Sequence, residues 1–467
     1  MEPVHFGTDG WRGIIAEDFT FENVRRVGKA LARLLREKGI EEKPVVVGYD
    51  YRFMSEYFAR AVSDELRNAR IPVQLSDRPI PTPALSLAAK KKKASCGVMI
   101  TASHNPHFYN GIKFKAAYGG PVMPDFTTSL SRLLGKVKKA SNLSTVYEKK
   151  TPVKNLLSPY LATLGRYVDF SGLRRSSLKL AVDSMHATGG DLFKQLLTDT
   201  DIRVVSMRTD RNPLFDMDLP EPAPPLLDPL SDLVRREKCD LGLATDGDAD
   251  RIGVVDHKGR FVTLHYIMPL LYEYLAKSRG FRGDAVRTTS TDKLLDDVCS
   301  SYGARSFEVP VGFTHVCRKV LEEDILVGGE ESGGICFRKH IPERDGILSG
   351  LLILEMMSSS GKSLADLVRD IGRRFHPVCY RRLDRVFDQK KLKQNMKSLR
   401  VRPPGKIAGS PVDRVDHRDG IKFFLKNGCW MLMRVSDTEP KGRIYTGGPA
   451  LELVKRTLRA GERLLFR

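Results

Sequence analysis

The sequence predicts an α/β protein built in successive rounds, followed by a segment with more β character that closes in a helix. Three observations carry this. Apolar positions alternate along most of the chain between helical spacing and short β-branched runs. That alternation stops at a polar stretch and restarts near residue 150. From about His376 the runs become strand-like and lie close together. At 467 residues the chain exceeds what one core can serve, and roughly three or four domains are expected.

In the first round, Val24, Val27, Leu31, Leu34 and Leu35 put one apolar face on a helix over Phe21 to Lys38. Pro44 to Gly48 is a strand, Ser55 to Asn68 a helix, Ile71 to Leu75 a strand, and Gly97 to Ile100 a short buried strand. This is the pattern of a largely parallel sheet, whose ligands bind beyond the carboxyl ends of its strands. Leu134 to Lys154 reads as a helix end and a linker, because it is polar and rich in lysine.

The second round has strands at Leu178 to Asp183, Ile202 to Ser206, Asp240 to Ala244 and Ile252 to Val255. Its helices are Leu192 to Leu197 and Leu226 to Glu237, and the prolines between Pro220 and Pro225 force a loop. The third round has helices at Tyr266 to Ala276, Lys293 to Ser301, Gly346 to Ser358 and Ser363 to Phe375. Its strands are Ala285 to Thr289 and Ile325 to Val327. The last segment has strands at Gly420 to Leu425 and Cys429 to Met433, then an amphipathic helix from Leu451 to Leu465.

Composition excludes several classes. No apolar run approaches the roughly 20 residues of a membrane span, and the N-terminus lacks a secretory pattern. The 7 cysteines are scattered singly, which fits reduced thiols and a cytoplasmic protein better than a disulfide framework. The net charge is +20. A solvated basic face is the default reading of this charge, steering of a small anionic substrate the second, and nucleic-acid binding the third. The densest run, Lys90 to Lys93, has no interleaved aromatics and matches no nucleic-acid motif.

Four loops can carry chemistry, and each follows a strand. Asp246, Asp248 and Asp250 alternate, so an extended loop points all three carboxylates to one side. A hard divalent cation with oxygen ligands would relieve their repulsion. The spacing opens like an EF-hand, but Arg251 and His257 stand where that loop needs glycine and glutamate. Thr101 to Pro106 places Ser103 after the strand at Gly97 to Ile100, without the Gly-x-Ser-x-Gly elbow of an acyl hydrolase. Near a cation its hydroxyl could carry a phosphoryl group, with His104 and Lys113 binding oxygens or moving protons; alone it reads equally well as a turn-capping serine. In Gly328 to Gly334, Glu330 and Ser332 can hold sugar hydroxyls. Arg434 to Arg443 offers arginines and hydroxyls for a phosphate.

These four loops, in this order, resemble the α-D-phosphohexomutase superfamily, the phosphoglucomutase/phosphomannomutase group. Phe6 to Gly13 resembles its N-terminal signature, and Asn110-Gly111-Ile112-Lys113 follows the serine loop as that group expects. The resemblance covers the whole chain. It implies a heart-shaped enzyme with three related mixed-sheet α/β domains and a smaller C-terminal α+β domain. The units fall at 1–150 with the phosphoserine loop, 151–257 with the metal loop, 258–375 with the sugar loop, and 376–467 with the phosphate loop.

The same resemblance implies the chemistry. Ser103 carries a phosphoryl group, passes it to a hexose phosphate, and recovers the other one from a hexose 1,6-bisphosphate intermediate. Mg²⁺ is held by Asp246, Asp248, Asp250 and Ser103. Arg12 and Lys113 stabilise the transferring group, Lys113 moves a proton, and His104 orients the loop. Arg251 lies near the reacting end of the sugar. Glu330 and Ser332 grip its hydroxyls, and Arg434, Ser436, Thr438 and Arg443 its other phosphate. The partner is a small phosphosugar, and the protein is expected as a monomer or dimer.

Val435 and Asp437 replace a proline and a glycine common in relatives, and Thr314 stands where many carry lysine. Thr101 differs from the serine frequent in glucosamine-phosphate enzymes, and the sugar loop lacks the Gly-His ending of many phosphomannomutases. Glucose phosphate is therefore the favoured substrate and mannose phosphate the second. A phosphoglucosamine mutase and a serine- and metal-dependent phosphatase are the alternatives.

Overall fold

The computed structural model describes residues 4–7, 9–137, 151–435 and 441–466. The expected domain boundary near 150 falls among residues 138–150, outside the described residues. Strands β1 (Trp11–Ile14), β2 (Val45–Tyr49), β3 (Val73–Ser76), β4 (Cys96–Ile100), β5 (Tyr109–Lys115) and β6 (Val153–Lys154) form one sheet in the order β1-β5-β4-β2-β3-β6. Neighbours β4, β2, β3 and β6 run parallel, while β5 is antiparallel to both β4 and β1.

The second sheet joins β7 (Lys179–Asp183), β8 (Arg203–Met207), β9 (Leu241–Thr245) and β10 (Ile252–Asp256) in the order β10-β9-β7-β8. The third joins β11 (Asp284–Thr288), β12 (Ser306–Val309), β13 (Ile325–Gly329) and β14 (Ile335–Phe337) in the order β12-β11-β13-β14. Only the β9–β10 and β13–β14 pairs are antiparallel in these two sheets. The largely parallel sheet expected from alternation is thus mixed in each case. The reason is connection length: β4–β5, β9–β10 and β13–β14 are joined by loops too short for a parallel crossover. Each of these hairpins holds one of the loops singled out in the sequence.

The fourth sheet is wholly antiparallel. It runs β15-β20-β19-β18-β17-β16, from β15 (Cys379–Val386), β16 (Lys406–Ile407), β17 (Ser410–Asp416), β18 (Ile421–Leu425), β19 (Trp430–Val435) and β20 (Lys441–Gly448). Ile421, Phe423, Met431, Met433 and Ile444 pack under helices Gln389–Val401 and Leu451–Leu465. Trp430, Leu432 and Tyr445 face the other way, where Val311 of the third unit joins them. The fold is therefore three α/β units and a C-terminal antiparallel-sheet unit, as expected.

Helices Ser55–Asn68 and Leu451–Leu465 stand at the expected bounds. Helix Phe21–Glu37 starts where Thr20 accepts the Asn23 N–H at 3.2 Å. Helix Thr82–Lys91 escaped the sequence reading because residues 82–89 are all buried and show no apolar stripe. It puts Lys90 and Lys91 to structural use, bonding the His340 carbonyl at 2.9 Å and Thr163 Oγ1 at 2.7 Å, and leaves Lys92 and Lys93 exposed. All seven cysteines are free and six are buried. Among the described residues no helix is long and apolar enough to cross a membrane.

The largest core runs through the first three units around helix Gly346–Ser360, which is buried from Gly346 to Met357. Its N-cap, Asp345, accepts the Leu348 N–H at 2.9 Å and the Tyr160 hydroxyl at 2.8 Å. The Gly346 N–H donates to the Ala249 carbonyl at 3.1 Å. The most extensive core in the described residues thus ends against the acidic loop.

Candidate active site

Three hairpin loops from three different sheets meet at one point. Ser103, in the β4–β5 loop, is fully buried and donates its hydroxyl to Asp246 Oδ2 at 2.8 Å. Asp246, Asp248 and Asp250 sit in the β9–β10 loop, all fully buried, with one carboxylate oxygen from each within 4.8 Å of the others. The loop is tied by its own backbone: Asp246 Oδ1 accepts the N–H groups of Asp250 and Arg251 at 3.0 and 3.1 Å. Asp248 Oδ2 accepts from Thr82 at 2.5 Å and from Lys113 at 2.8 Å.

The close approach of the two loops depends on Gly247. A Cβ there would lie 2.1 Å from the Ser103 carbonyl oxygen. Gly247→Ala is therefore expected to part the loops by an ångström or so and to lower kcat about 100-fold in a folded protein. Steady-state assay beside circular dichroism checks this, and wild-type turnover would refute it.

Lys113 on β5 is 1% exposed and faces Asp248 at 2.8 Å, Asp250 at 3.1 Å and Asp9 at 3.2 Å. Burial alone would lower its pKa, but the carboxylates around it override burial and hold it well above the ordinary lysine range. Burial would likewise raise Asp248, yet Lys113 and the Thr82 bond hold that carboxyl below the usual range. Among the described residues, Asp246 has only the more distant Arg251 as a cation partner, at 4.0 Å. Burial and its two acidic neighbours push it well up. Asp248 Oδ1 and Asp250 Oδ1 are buried with no hydrogen-bond partner. Two orphaned carboxylate oxygens beside an aspartate that is costly to ionise fit a hard divalent cation with oxygen ligands.

The other expected residues surround this centre. Arg12 Nη1 donates to Asn105 Oδ1 at 2.5 Å, next to the serine. His104 is half-buried and its Nδ1 has no partner. Burial, with Arg251 and Arg12 nearby, holds its imidazole well below the ordinary range, and therefore neutral. Arg251 Nε lies 4.0 Å from Asp246 and 3.9 Å from Asp250. In the β13–β14 loop, Glu330 Oε1 accepts the Gly312 N–H at 3.0 Å, while Ser332 is half-buried at the tip. Thr314 lies buried in the first turn of helix Phe313–Glu322, adjoining the same region.

Arg434 and Arg443 end β19 and begin β20 as direct cross-strand partners. Like charges so placed repel unless an anion or a carboxylate answers them. Asp419 bonds Arg434 Nε at 2.7 Å, and Asp384 lies 3.5 Å from Arg443. Ser436, Asp437 and Thr438 lie outside the described residues.

Sequence reasoning missed two arginines. Arg344 Nη2 reaches Asp250 at 2.8 Å and Asp9 at 3.0 Å, and its Nη1 lies 3.6 Å from Glu330, so one side chain links the acidic and sugar loops. Fully buried Arg52 lies just past the end of β2 and binds the serine loop from below. The rule that ligands gather at strand carboxyl ends points to Arg52. Arg344 stands just ahead of helix Gly346–Ser360, where no local pattern marks it.

A serine hydroxyl on a buried acidic triad, with the cations of Lys113, Arg251 and Arg344 around that triad, is an arrangement suited to phosphoryl transfer. Comparison with known proteins agrees. The phosphoglucomutase/phosphomannomutase alpha/beta/alpha domain I, II and III models match residues 3–141, 158–259 and 264–375. A Thermococcus kodakarensis protein named phosphoglucomutase/phosphomannomutase is 30% identical over 98% of this chain and 98% of its own. A Thermococcus gammatolerans protein named "probable phosphoglucosamine mutase" is 30% identical over 99% of this chain and 98% of its own. A crystal structure from Thermus thermophilus, provisionally named a phosphomannomutase, is 35% identical with a TM-score of 0.88, covering 99% of each chain. The chain belongs to the phosphoglucomutase/phosphomannomutase family, within the α-D-phosphohexomutase superfamily, and is an intramolecular phosphotransferase.

Proposed function

We propose that this chain interconverts the 1- and 6-phosphates of a hexose, glucose phosphate first and mannose phosphate second, using Ser103 as the phosphoryl carrier. The observation that carries this is the Ser103 hydroxyl, 2.8 Å from a carboxylate of the buried acidic triad. Asp246, Asp248, Asp250 and the loaded Ser103 would hold Mg²⁺, which neutralises charge on the phosphoryl group when bound.

The phosphorus–oxygen bond to Ser103 Oγ breaks as one forms to a sugar hydroxyl oxygen, giving a hexose 1,6-bisphosphate. The hydroxyl proton leaves through Lys113, whose ammonium passes one of its own protons to Asp9, 3.2 Å away, as it takes up the sugar's. Arg12 and Lys113 face the equatorial oxygens, where charge gathers in such a transfer. Neutral His104 supports the serine loop without adding charge. Glu330 and Ser332 accept sugar hydroxyls in either orientation. Arg434 and Arg443, with Ser436 and Thr438, clasp the idle phosphate. Reversal of the bisphosphate returns its other phosphoryl group to Ser103, and the active site must loosen for it to turn. The C-terminal sheet docks through a small apolar contact at Val311 and a few polar bonds, which suits that motion: Asp419 takes Thr289 and the Val311 N–H at 2.7 Å each, and Lys422 reaches the Thr289 carbonyl at 2.8 Å.

Domain limits at 1–150, 151–257, 258–375 and 376–467 accord with one loop per unit. Relatives named for both glucose/mannose and glucosamine phosphates make the sugar the quantity to measure. We expect kcat/KM on glucose 1-phosphate to exceed that on glucosamine 1-phosphate by at least about 10-fold, the discrimination a few hydroxyl contacts supply. The reverse order would establish the glucosamine reading. Mass spectrometry of the purified protein is expected to find one phosphate, on Ser103. Net release of inorganic phosphate during turnover would instead identify a phosphatase.

A further inference from the structure

We propose that Arg52 is the positioning residue that holds Ser103 in its transfer geometry, a role that rests on Ser103 being the phosphoryl carrier. Ser103 stands at φ 52°, in the left-handed region that a serine adopts at a cost of about 1 kcal/mol or more. Something must fix it there. The loop from Ser103 to Tyr109 turns its carbonyls inward, and one guanidinium answers them. Arg52 Nη2 donates to the carbonyls of Ser103 and Asn105, both at 2.6 Å. Nη1 donates to those of Pro106 at 2.8 Å and Tyr109 at 3.1 Å. All four N–H bonds of the two terminal nitrogens are therefore spent on this one loop.

The arginine is itself immobilised. Its side chain is fully buried, its Nε lies 3.3 Å from Asp50 Oδ2, and its own N–H donates to Asp50 Oδ1 at 3.0 Å. Ser55 also donates to Asp50, at 2.7 Å. On its open face lies the Phe215 ring, 4.9 Å from the guanidinium carbon. Phe215 belongs to the unit that carries the acidic loop, so the same stack sets the serine loop against that unit. A planar fork with fixed donors suits four carbonyls, whereas a lysine ammonium has three donors on a point. The bonds of Arg52 to this loop go to its carbonyls and not to the Ser103 hydroxyl, so it acts through the placement of Ser103.

The test uses the full chain with Arg52→Lys and Phe215→Leu, assayed per mole of folded protein. Arg52→Lys is expected to lower kcat about 100-fold while KM for the hexose phosphate stays within about twofold, as a misplaced carrier requires. The ³¹P resonance of the phosphoserine, loaded from glucose 1,6-bisphosphate, is expected to broaden or shift. Phe215→Leu, which leaves every Arg52 hydrogen bond in place, is expected to give the same signature at about fivefold; it decides the matter alone if the lysine variant fails to fold. Wild-type kcat in the folded variants, or a loss carried wholly by KM with an unchanged ³¹P signal, overturns the proposal. Ser103→Ala separates this from the underlying reading: an active Ser103→Ala protein defeats the carrier itself, whereas an inactive one beside unimpaired Arg52→Lys defeats only the role of Arg52.

Discussion

Ser103→Ala is expected to leave a folded protein whose mutase activity is at least about 10⁴-fold below wild type, the scale on which a covalent nucleophile is lost. The argument for folding is local. Alanine removes one hydroxyl, whose Oγ–H bond to Asp246 at 2.8 Å is its hydrogen bond as donor. The loop keeps the Ser103 N–H bond to Thr101 at 2.9 Å and the Arg52 bonds to its carbonyls, since these use backbone atoms or other residues. The unpartnered Asp246 oxygen costs about 1–3 kcal/mol, a small part of the stability of a chain this size. Activity has no comparable reserve. Without Oγ the first transfer has no donor and the second no acceptor, so a good general acid cannot compensate. Incubation with glucose 1,6-bisphosphate is expected to label the wild-type protein and not the variant. Substantial turnover by an unlabelled Ser103→Ala protein would refute the phosphoserine mechanism.

Much of this site was legible in the sequence because its parts are local. A carboxylate at every second position, as in Asp246, Asp248 and Asp250, implies convergence wherever the backbone is extended. The structure brings those oxygens within 4.8 Å of one another. Ser103 after a short apolar run implies a strand-end serine, and it is one. The four units were legible for the same reason, since the alternation of periods is a local property. Residues whose purpose is set by distant partners were not. Arg344 is defined by Asp9 and Asp250, far from it along the chain. Thr82 opens a helix with no polar face and finds Asp248 across the first and second units. Arg52 is defined by carbonyls, which carry no sequence signal at all. Two of the antiparallel hairpins that present the loops were also hidden, because β14 is only three residues long and β5, at seven, mixes Asn110, Lys113 and Lys115 among its apolar positions.

Lys113→Met is expected to be nearly as damaging as loss of the serine, and in two separable ways. The ammonium is buried among Asp9, Asp248 and Asp250, at 2.8–3.2 Å. Removing the cation leaves buried carboxylates facing one another, a change that costs about 3–5 kcal/mol where one partner of a buried ion pair is deleted. Arg344 still answers Asp250 at 2.8 Å and Asp9 at 3.0 Å, so Asp248 bears most of the loss. A divalent cation on the triad would supply the missing positive charge. Thermal unfolding in EDTA is therefore expected to show a clearly lowered midpoint for the variant, and added Mg²⁺ to raise it more than it raises wild type. Activity should not recover with the midpoint, because the metal cannot relay the sugar's proton to Asp9 from the position Lys113 holds. A fall of about 10²–10⁴-fold in kcat is expected even at saturating Mg²⁺. If Mg²⁺ leaves the variant's midpoint unchanged, the acidic loop is not the metal site. If it restores both midpoint and kcat, Lys113 serves the electrostatics of the loop and takes no part in moving the proton.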